Sequence, residues 1–391
     1  MSNHEEQNIQ NNAETAAEIK SKPKFKIVKQ HFQGAAAMVI IFALAISVLQ
    51  IMPGKNLFGT MASMGTSMSQ TTRYAHFKIA NPENAFSMLA HPVQRNKGYV
   101  KTPGLIYDPN AGDHIQGYVF YNRGSGKMYH IFSHNNKNQG FIYIAKDKPA
   151  SKIAMIDLPS GYNHPGGMQI IGDYLFVAAE GSGKSAVFMY DLTPVYMYDD
   201  PPGKPVTLIS LSEGGAASAV GITDIPCNAT GGIRYVLAIN NHGSQTVSLY
   251  LSNVGVSLSA ANSSTFVRVN TNIKFKNESS YDGMALLGAA DGSVWLMGFR
   301  ANYTGSYADF ADLYNIGRSF SEGMKLNATE ITPKATKQFN TEHGFTTGLY
   351  GVHFRWGTGL TIYENDRLRL NVTQREVDAE YIVVNTFFNY K

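Results

Sequence analysis

From about residue 74 to the end of the sequence, short apolar runs alternate with clusters of Gly, Asn, Asp and Pro. The runs are rich in β-branched and aromatic residues, which is typical of strands joined by tight turns. Clear examples are Tyr118–Tyr121, Lys127–Ser133, Gly140–Ala145, Ile153–Leu158, Tyr174–Ala178, Ala186–Leu192 and Pro205–Leu211. No long stretch here shows the 3.6-residue period of a helix, although Tyr307–Ile316 is a candidate for one short helix. The pattern predicts an all-β domain over residues 74–391.

The predicted strands recur in groups, and each group starts with a run of small residues. Five glycines mark these starts at intervals of 50, 54, 62 and 65 residues: Gly117, Gly167, Gly221, Gly283 and Gly348. Such a spacing holds four strands and their loops, which is one blade of a β-propeller. We therefore predict a β-propeller of about five four-stranded blades, with six or seven blades as variants. One or two β-sandwich domains with accidental glycine spacing are the alternative.

A closed ring needs its two ends to meet, because closure removes the exposed sheet edges of an open array. The segment Ala379–Asn389 has the composition of a strand. We expect it to pair with the segment after Tyr74 and so to close the propeller.

Before this domain lies an uncharged apolar segment of 19 residues, 34–52, which ends at Pro53 and Gly54. A helix of that length spans the roughly 30 Å hydrocarbon core of a bilayer. Five lysines lie between residues 20 and 29, and Lys55 is the next charge after the segment. The positive-inside rule then predicts a disordered cytoplasmic tail (1–33), a transmembrane helix (34–52), a linker (53–73) and a periplasmic or extracellular domain (74–391). A cleaved signal peptide is the alternative, although its apolar region is usually only about 7 to 15 residues long.

Composition excludes several function classes. The formal net charge is +4 and the basic residues are scattered, so nothing favours nucleic-acid binding. Cys227 is the sole cysteine, which excludes an intrachain disulfide and favours an inert, buried thiol.

Gly181–Ser185 resembles the end of a phosphate-binding loop, but it lies between two predicted strands and is better interpreted as a hairpin turn. The signature motifs of zinc peptidases, zinc ribbons, EF-hands and α/β-hydrolases are absent.

The candidate functional residues lie close to the repeated glycines. In a propeller the first strand of each blade lines the central channel, so we expect these residues to meet at one mouth. The predicted ligand-binding set is His114, His164, Asp224, Asp282 and His343, with Asp108 and Glu342 close by. Imidazole and carboxylate groups that converge could bind a divalent metal. Residues of these types also commonly cap turns, which is the simpler interpretation of each one taken alone.

The leading functional hypothesis is a membrane-anchored binding or scaffold module of the cell envelope, with a protein or a glycan as its partner. Aromatic residues in the predicted loops would suit sugar stacking or an interface, although packing between blades is the better interpretation of any one of them; they are Tyr162, Tyr281, Tyr303, Tyr307, Tyr350 and Trp356. One rival is an extracytoplasmic hydrolase, such as a glycosidase, in which Asp224 and Asp282 act as the carboxylate pair with His164 or His114 assisting. Another is a structural part of a multi-protein envelope machine. The sequence identifies neither the ligand nor the oligomeric state, and it does not decide whether the protein is an enzyme.

Overall fold

The structure is a computed structural model that describes the chain from residue 77 onwards, apart from several loops. The described residues are 77–89, 96–105, 108, 112–124, 126–137, 139–211, 216–227, 232–241, 246–269, 273–276, 281–301, 308–318, 330–341, 351–377 and 381–389. Internal contacts divide the chain into Met1–Thr72 and Arg73–Lys391, and all described residues belong to the second unit. The predicted tail, membrane segment and linker lie outside the described residues. Within the described ranges, no helix has both the length and the apolar character needed to cross a membrane.

A short helix, α1 (Pro82–Met88), and a strand, β1 (Asn96–Lys101), precede the repeats. The side chain of Asn81 caps α1 by accepting a hydrogen bond from the Asn84 amide at 3.0 Å. Phe86 on α1 is buried, so the helix is held against the sheets by apolar packing.

Each repeat that follows is built on an antiparallel meander in which successive strands pair side by side. Blade 1 contains β2 (His114–Asn122), β3 (Met128–Asn135), β4 (Phe141–Lys146) and β5 (Ser151–Asp157). Blade 2 contains β6 (Tyr162–Ile171), β7 (Tyr174–Gly181), β8 (Lys184–Asp191) and β9 (Val206–Leu211), with the helix α2 (Thr193–Tyr198) between β8 and β9. The run Gly181–Ser185 forms the tight turn from β7 to β8, as predicted.

The third blade has a divided outer strand. Its first strands are β10 (Ala219–Cys227), β11 (Gly232–Asn241) and β12 (Thr246–Ser252), followed by a 3₁₀ helix (Leu258–Ala260). Two short strands, β13 (Phe266–Arg268) and β14 (Ile273–Phe275), then pair with different parts of β12. Blade 4 contains β15 (Gly283–Gly288), β16 (Val294–Ala301), β17 (Asp309–Gly317) and β19 (Ala335–Phe339), while β18 (Glu330–Ile331) pairs with β14 of blade 3.

Blade 5 combines the two ends of the described chain. Its strands are β20 (Thr358–Ile362), β21 (Leu368–Thr373) and β22 (Tyr381–Phe388), and β1 pairs with β22 as the outermost strand. The predicted closing pair is therefore present, and its N-terminal partner is β1.

Apolar packing confirms a ring of five blades. Five buried clusters fill the spaces between blades 1 and 2, 2 and 3, 3 and 4, 4 and 5, and 5 and 1. Val119 and Phe188, for example, share the layer between blades 1 and 2, whereas Phe132 and Val384 share the layer between blades 5 and 1. The inner strands β2, β6, β10, β15 and β20 contact one another in that order, and β20 returns to β2. The chain is a five-bladed β-propeller.

The helix predicted for Tyr307–Ile316 is wrong, because β17 occupies most of this stretch. Both faces of β17 are apolar. Ala311 and Leu313 pack towards blade 5, whereas Tyr314 and Ile316 pack towards blade 3. A strand buried on both faces loses the alternation that distinguishes a strand from a helix.

Candidate functional site

The inner strands all run in the same direction, so their first residues gather at one mouth of the propeller and their last residues gather at the other. We define the upper mouth by the first residues of the inner strands and the lower mouth by their last residues. Between the two mouths the inner strands lie almost backbone to backbone. A Cβ atom on Gly167 would lie 3.5 Å from the Cα of Gly283, and one on Gly359 would lie 1.7 Å from the carbonyl oxygen of Tyr118. Four of the glycines of the sequence repeat therefore mark places where inner strands approach closely, while Gly348 lies outside the described residues.

Gln169 on β6 occupies the centre and is 2% exposed. Its side-chain carbonyl accepts hydrogen bonds from the amides of Ile222 (2.7 Å) and Leu286 (2.9 Å). Its amide group donates to the carbonyl of Leu286 at 2.9 Å. One side chain thus ties three inner strands together and satisfies their buried backbone groups.

At the upper mouth the structure brings His114 and His164 together. Their rings lie 5.5 Å apart in an edge-on arrangement. The Gln116 amide lies 2.7 Å from His164 Nε2, and with the amide as donor the imidazole proton sits on Nδ1. That nitrogen faces Glu180 Oε2 at 3.7 Å, and the His164 side chain remains 35% exposed.

His114 packs against Trp356, with 5.5 Å between the ring centroids. The guanidinium groups of Arg355 and Arg375 lie 4.9 Å and 5.3 Å from the Trp356 ring. The pKa of His114 is lowered from 6.5 to about 4, mainly because the ring is buried. The hydrogen bond to the Gly112 carbonyl opposes this shift, whereas His164 and the two arginines contribute to it. His114 is therefore neutral at physiological pH.

Asp282 belongs to the upper mouth, since it immediately precedes β15 and its amide donates to the Phe299 carbonyl at 3.0 Å. Asp224 belongs to the lower mouth. A Cβ atom on Gly288, the last residue of β15, would lie 2.8 Å from the Asp224 carbonyl oxygen. Gly288 is the sixth residue after Asp282, so the two lie about 20 Å apart along the strand at roughly 3.3 Å per residue. The structure does not bring Asp224 and Asp282 together.

The lower mouth holds a pocket that is open to solvent. Its walls come from β2, β6, β10 and β20, and Phe77 of the segment before α1 completes them. Beside this pocket the Lys78 ammonium contacts the Asp224 carboxylate at 2.5 Å and also the Asp224 carbonyl. Burial lowers the pKa of Lys78, and the Asp224 carboxylate opposes that shift.

The segment that carries Lys78 is fastened to the propeller. The amide of Ile79 donates to the Gly288 carbonyl, and its carbonyl accepts from the amide of Ala290, both at 2.9 Å. The Asp366 carboxylate accepts from the amide of Ala80 at 2.6 Å.

The other predicted residues have structural roles or lie outside the described residues. Asp108 donates its amide to the buried Asp113 carboxylate at 3.1 Å, which is a turn contact. Glu342 and His343 lie outside the described residues. Within the described ranges, no group of three or more His, Cys, Asp or Glu is arranged to hold a metal ion. Cys227 is buried, as predicted.

Of the aromatic candidates, Tyr162, Tyr281 and Trp356 are described, and all three take part in packing. Tyr281 is buried and donates a hydrogen bond to Asp312 at 3.0 Å, and Arg300 pairs with the same carboxylate at 2.7 Å. Trp356 is 5% exposed. Tyr303, Tyr307 and Tyr350 lie outside the described residues.

Sequence reasoning missed Gln116, Gln169 and Lys78. A usable signal existed for the two glutamines, because each lies within two residues of a repeated glycine. None existed for Lys78, which lies outside every repeat and 146 residues from its partner.

No protein-family model and no curated protein matches the sequence. Solved structures resemble the chain weakly. An endo-arabinase from Bacteroides thetaiotaomicron aligns with 73% of this chain and 95% of its own, at 10% identity and a TM-score of 0.39. An aldose sugar dehydrogenase from Streptomyces coelicolor, bound to PQQ, aligns with 76% of this chain and 100% of its own, at 11% identity and a TM-score of 0.31. The β-propeller domain of Nup133 from Vanderwaltozyma polyspora aligns with 76% and 99%, at 8% identity and a TM-score of 0.22. At these scores the propeller assignment rests on the strand pairing and the apolar layers of the chain itself.

Proposed function

We propose that this protein is a membrane-anchored binding module of the cell envelope whose propeller binds a glycan at the upper mouth. The observation that carries the proposal is the contact between Gln116 and His164, from adjacent blades, beside His114 at the mouth. Imidazole and amide groups can each donate and accept hydrogen bonds, which suits sugar hydroxyl groups. His114 is neutral at physiological pH, so its imidazole can take part in such bonding without a charge.

A hydrolase that uses Asp224 and Asp282 is the weaker hypothesis. Glycoside hydrolysis needs two carboxyl groups about 5 to 10 Å apart on either side of the scissile bond. These two residues are separated by about 20 Å along the inner strands, by the strand rise used above. A binding role requires no such pair.

A glycan-binding measurement tests the proposal directly. The full chain, purified in detergent, is applied to an array of envelope polysaccharide fragments, and its affinity for the best ligand is then measured by calorimetry. Gln116→Ala should weaken binding by about tenfold, the equivalent of one hydrogen bond. Gln338→Ala is the matched control, because Gln338 is an exposed glutamine on the outer strand β19.

Equal affinity of the Gln116→Ala and Gln338→Ala variants would remove the upper mouth as the binding site. Failure to bind any glycan, together with recovery of one envelope protein in a complex that His164→Ala disrupts, would replace the glycan by a protein partner.

The membrane anchor needs its own test, because residues 34–52 lie outside the described residues. Alkaline carbonate should leave the full chain in the membrane fraction, and deletion of residues 34–52 should release it. Protease added to spheroplasts, in which a periplasmic or extracellular domain is accessible, should remove a C-terminal epitope tag and spare an N-terminal one. Loss of the N-terminal tag alone would reverse the proposed orientation.

A further inference from the structure

The lower-mouth pocket is a second concave site, at the opposite end of the inner strands from the proposed glycan site. It is open to solvent, so a ligand can enter it from outside the propeller. Aliphatic and aromatic side chains dominate its walls, with Ile170 on β6, Ile362 on β20 and Phe77 among those that are partly exposed. A ligand that fills this pocket therefore needs a mainly apolar body.

Asp224 is the charged residue among those that line the pocket. It is buried and pairs with Lys78, which lies beside the pocket and whose side chain is 25% exposed. A ligand carboxylate would be repelled by Asp224, and a ligand amine would be repelled by Lys78. Because this pair is already neutral as a unit, a charged ligand would gain little from it and would lose its own hydration.

Lys78 also has hydrogen-bonding capacity to spare. An ammonium group has three N–H donors. Two contacts of Lys78 go to the carbonyl and the carboxylate of Asp224, and among the described residues no further acceptor is in place. A ligand oxygen that accepts a hydrogen bond matches the remaining donor.

We propose that the lower-mouth pocket binds a neutral, largely apolar small molecule whose carbonyl oxygen accepts a hydrogen bond from Lys78. Phe77, Ile170 and Ile362 hold the apolar body, and the Lys78–Asp224 pair fixes the polar end. The site is independent of the glycan site, since it uses other residues at the other mouth.

Benzophenone serves as the probe, because it is a neutral diaryl ketone that forms covalent bonds with nearby C–H groups under near-ultraviolet light. The full chain in detergent is irradiated over a range of benzophenone concentrations, and the labelled residues are located by peptide mass spectrometry. Labelling should saturate and should concentrate on the peptides that contain Ile170 and Ile362. Labelling without saturation, spread over exposed apolar residues such as Val267 and Met197, would overturn the proposal.

Two variants separate the apolar and the polar parts of the site. Ile362→Trp should fill the pocket and reduce labelling of Ile170 by at least about tenfold, whereas Ile233→Trp, at an exposed isoleucine on β11, should leave it unchanged. Lys78→Met should raise the half-saturating concentration by up to about tenfold, the equivalent of one hydrogen bond. If Ile362→Trp labels like the parent chain, the pocket is not the site. If Lys78→Met has the parent's half-saturation, Lys78 does not contact the ligand.

The proposal can still be tested if the Ile362→Trp variant does not fold. Ile170→Trp fills the same pocket from the opposite wall, and the map of labelled residues in the parent chain already locates the site. Loss of glycan binding in the Gln116→Ala chain should leave the benzophenone map unchanged, so the two proposals can fail separately.

Discussion

Replacing Gln169 by methionine tests whether hydrogen bonds hold the centre of the propeller together. The side chain reaches from β6 to the backbones of β10 and β15 through three hydrogen bonds of 2.7 to 2.9 Å. Methionine has nearly the same length but no hydrogen-bonding amide. The substitution therefore removes the bonds while it largely preserves the packing.

The expected loss follows from the groups left behind. Three backbone groups, two amides of Ile222 and Leu286 and the carbonyl of Leu286, lose their partner in a buried position. Each buried group without a partner costs about 1 to 3 kcal/mol. The free energy of unfolding should therefore fall by at least about 3 kcal/mol, using the lower limit for each group.

Urea unfolding followed by tryptophan fluorescence measures this loss, because Trp295 and Trp356 are both buried. Gln338→Met is the matched control at an exposed position, and it should change stability by less than about 0.5 kcal/mol. The slope of the unfolding free energy against urea should be the same for both variants. If Gln169→Met is as stable as Gln338→Met at an unchanged slope, the bonds at the centre contribute nothing net and the reasoning is refuted.

Three further outcomes are expected. Gly359→Ala should lower the free energy of unfolding in urea by about 3 kcal/mol, because the new methyl group meets a β2 carbonyl. Gly203→Ala should be neutral, since no atom lies within 4 Å of the added methyl group, and equal losses would contradict the close approach of β20 and β2. The pKa of His114 is lowered from 6.5 to about 4, so its contribution to stability is complete above pH 6.5 and declines as the pH falls towards 4; a titration midpoint near 6.5 in histidine NMR spectra would disprove the burial argument. Arg300→Met breaks a buried ion pair and should lower the free energy of unfolding by about 3 to 5 kcal/mol. Arg318→Met breaks an exposed ion pair and should lower it by at most about 1 kcal/mol. Comparable losses for the two variants would show that burial does not decide the effect.

The blade repeat could be predicted because it follows from a steric requirement. Gly117, Gly167, Gly221 and Gly283 all lie on inner strands, where an added Cβ atom would meet neighbouring atoms at 3.3 Å or less. Because each blade has such a close approach, glycine recurs once per blade in the sequence. The kind of each element was less predictable where both faces are buried, as on β17, because the apolar pattern there is not specific to a strand.

The pairing of β22 with β1, which closes the propeller, could be predicted only in part. The apolar pattern of residues 379–389 indicated a strand with no partner in its own repeat. Its partner β1, at Asn96–Lys101, reads NKGYVK, and its lysines and glycine do not resemble a buried strand. An outermost strand is exposed, so its sequence is under weaker constraint than that of an inner strand.

Whether a candidate residue lies at the upper or the lower mouth depends on whether it precedes or follows the repeated glycine in the sequence. His114 and His164 each precede their glycine by three residues, and Asp224 follows Gly221 by three. Because the inner strands are parallel and rise roughly 3.3 Å per residue, offsets of opposite sign correspond to positions about 20 Å apart. Distance in sequence from the glycine, without its direction, therefore cannot assign a residue to a mouth.

The same rule explains why the two mouths differ in chemistry. The upper mouth holds polar residues that precede the glycines, including Gln116 and Asp282, whereas residues farther along the inner strands, such as Ile170 and Leu360, are mostly apolar and surround the lower pocket. A buried charged residue at the lower mouth needs a partner to be tolerated, and one partner of Asp224 is Lys78, which lies outside the repeats. A search confined to the repeats therefore cannot find this ion pair.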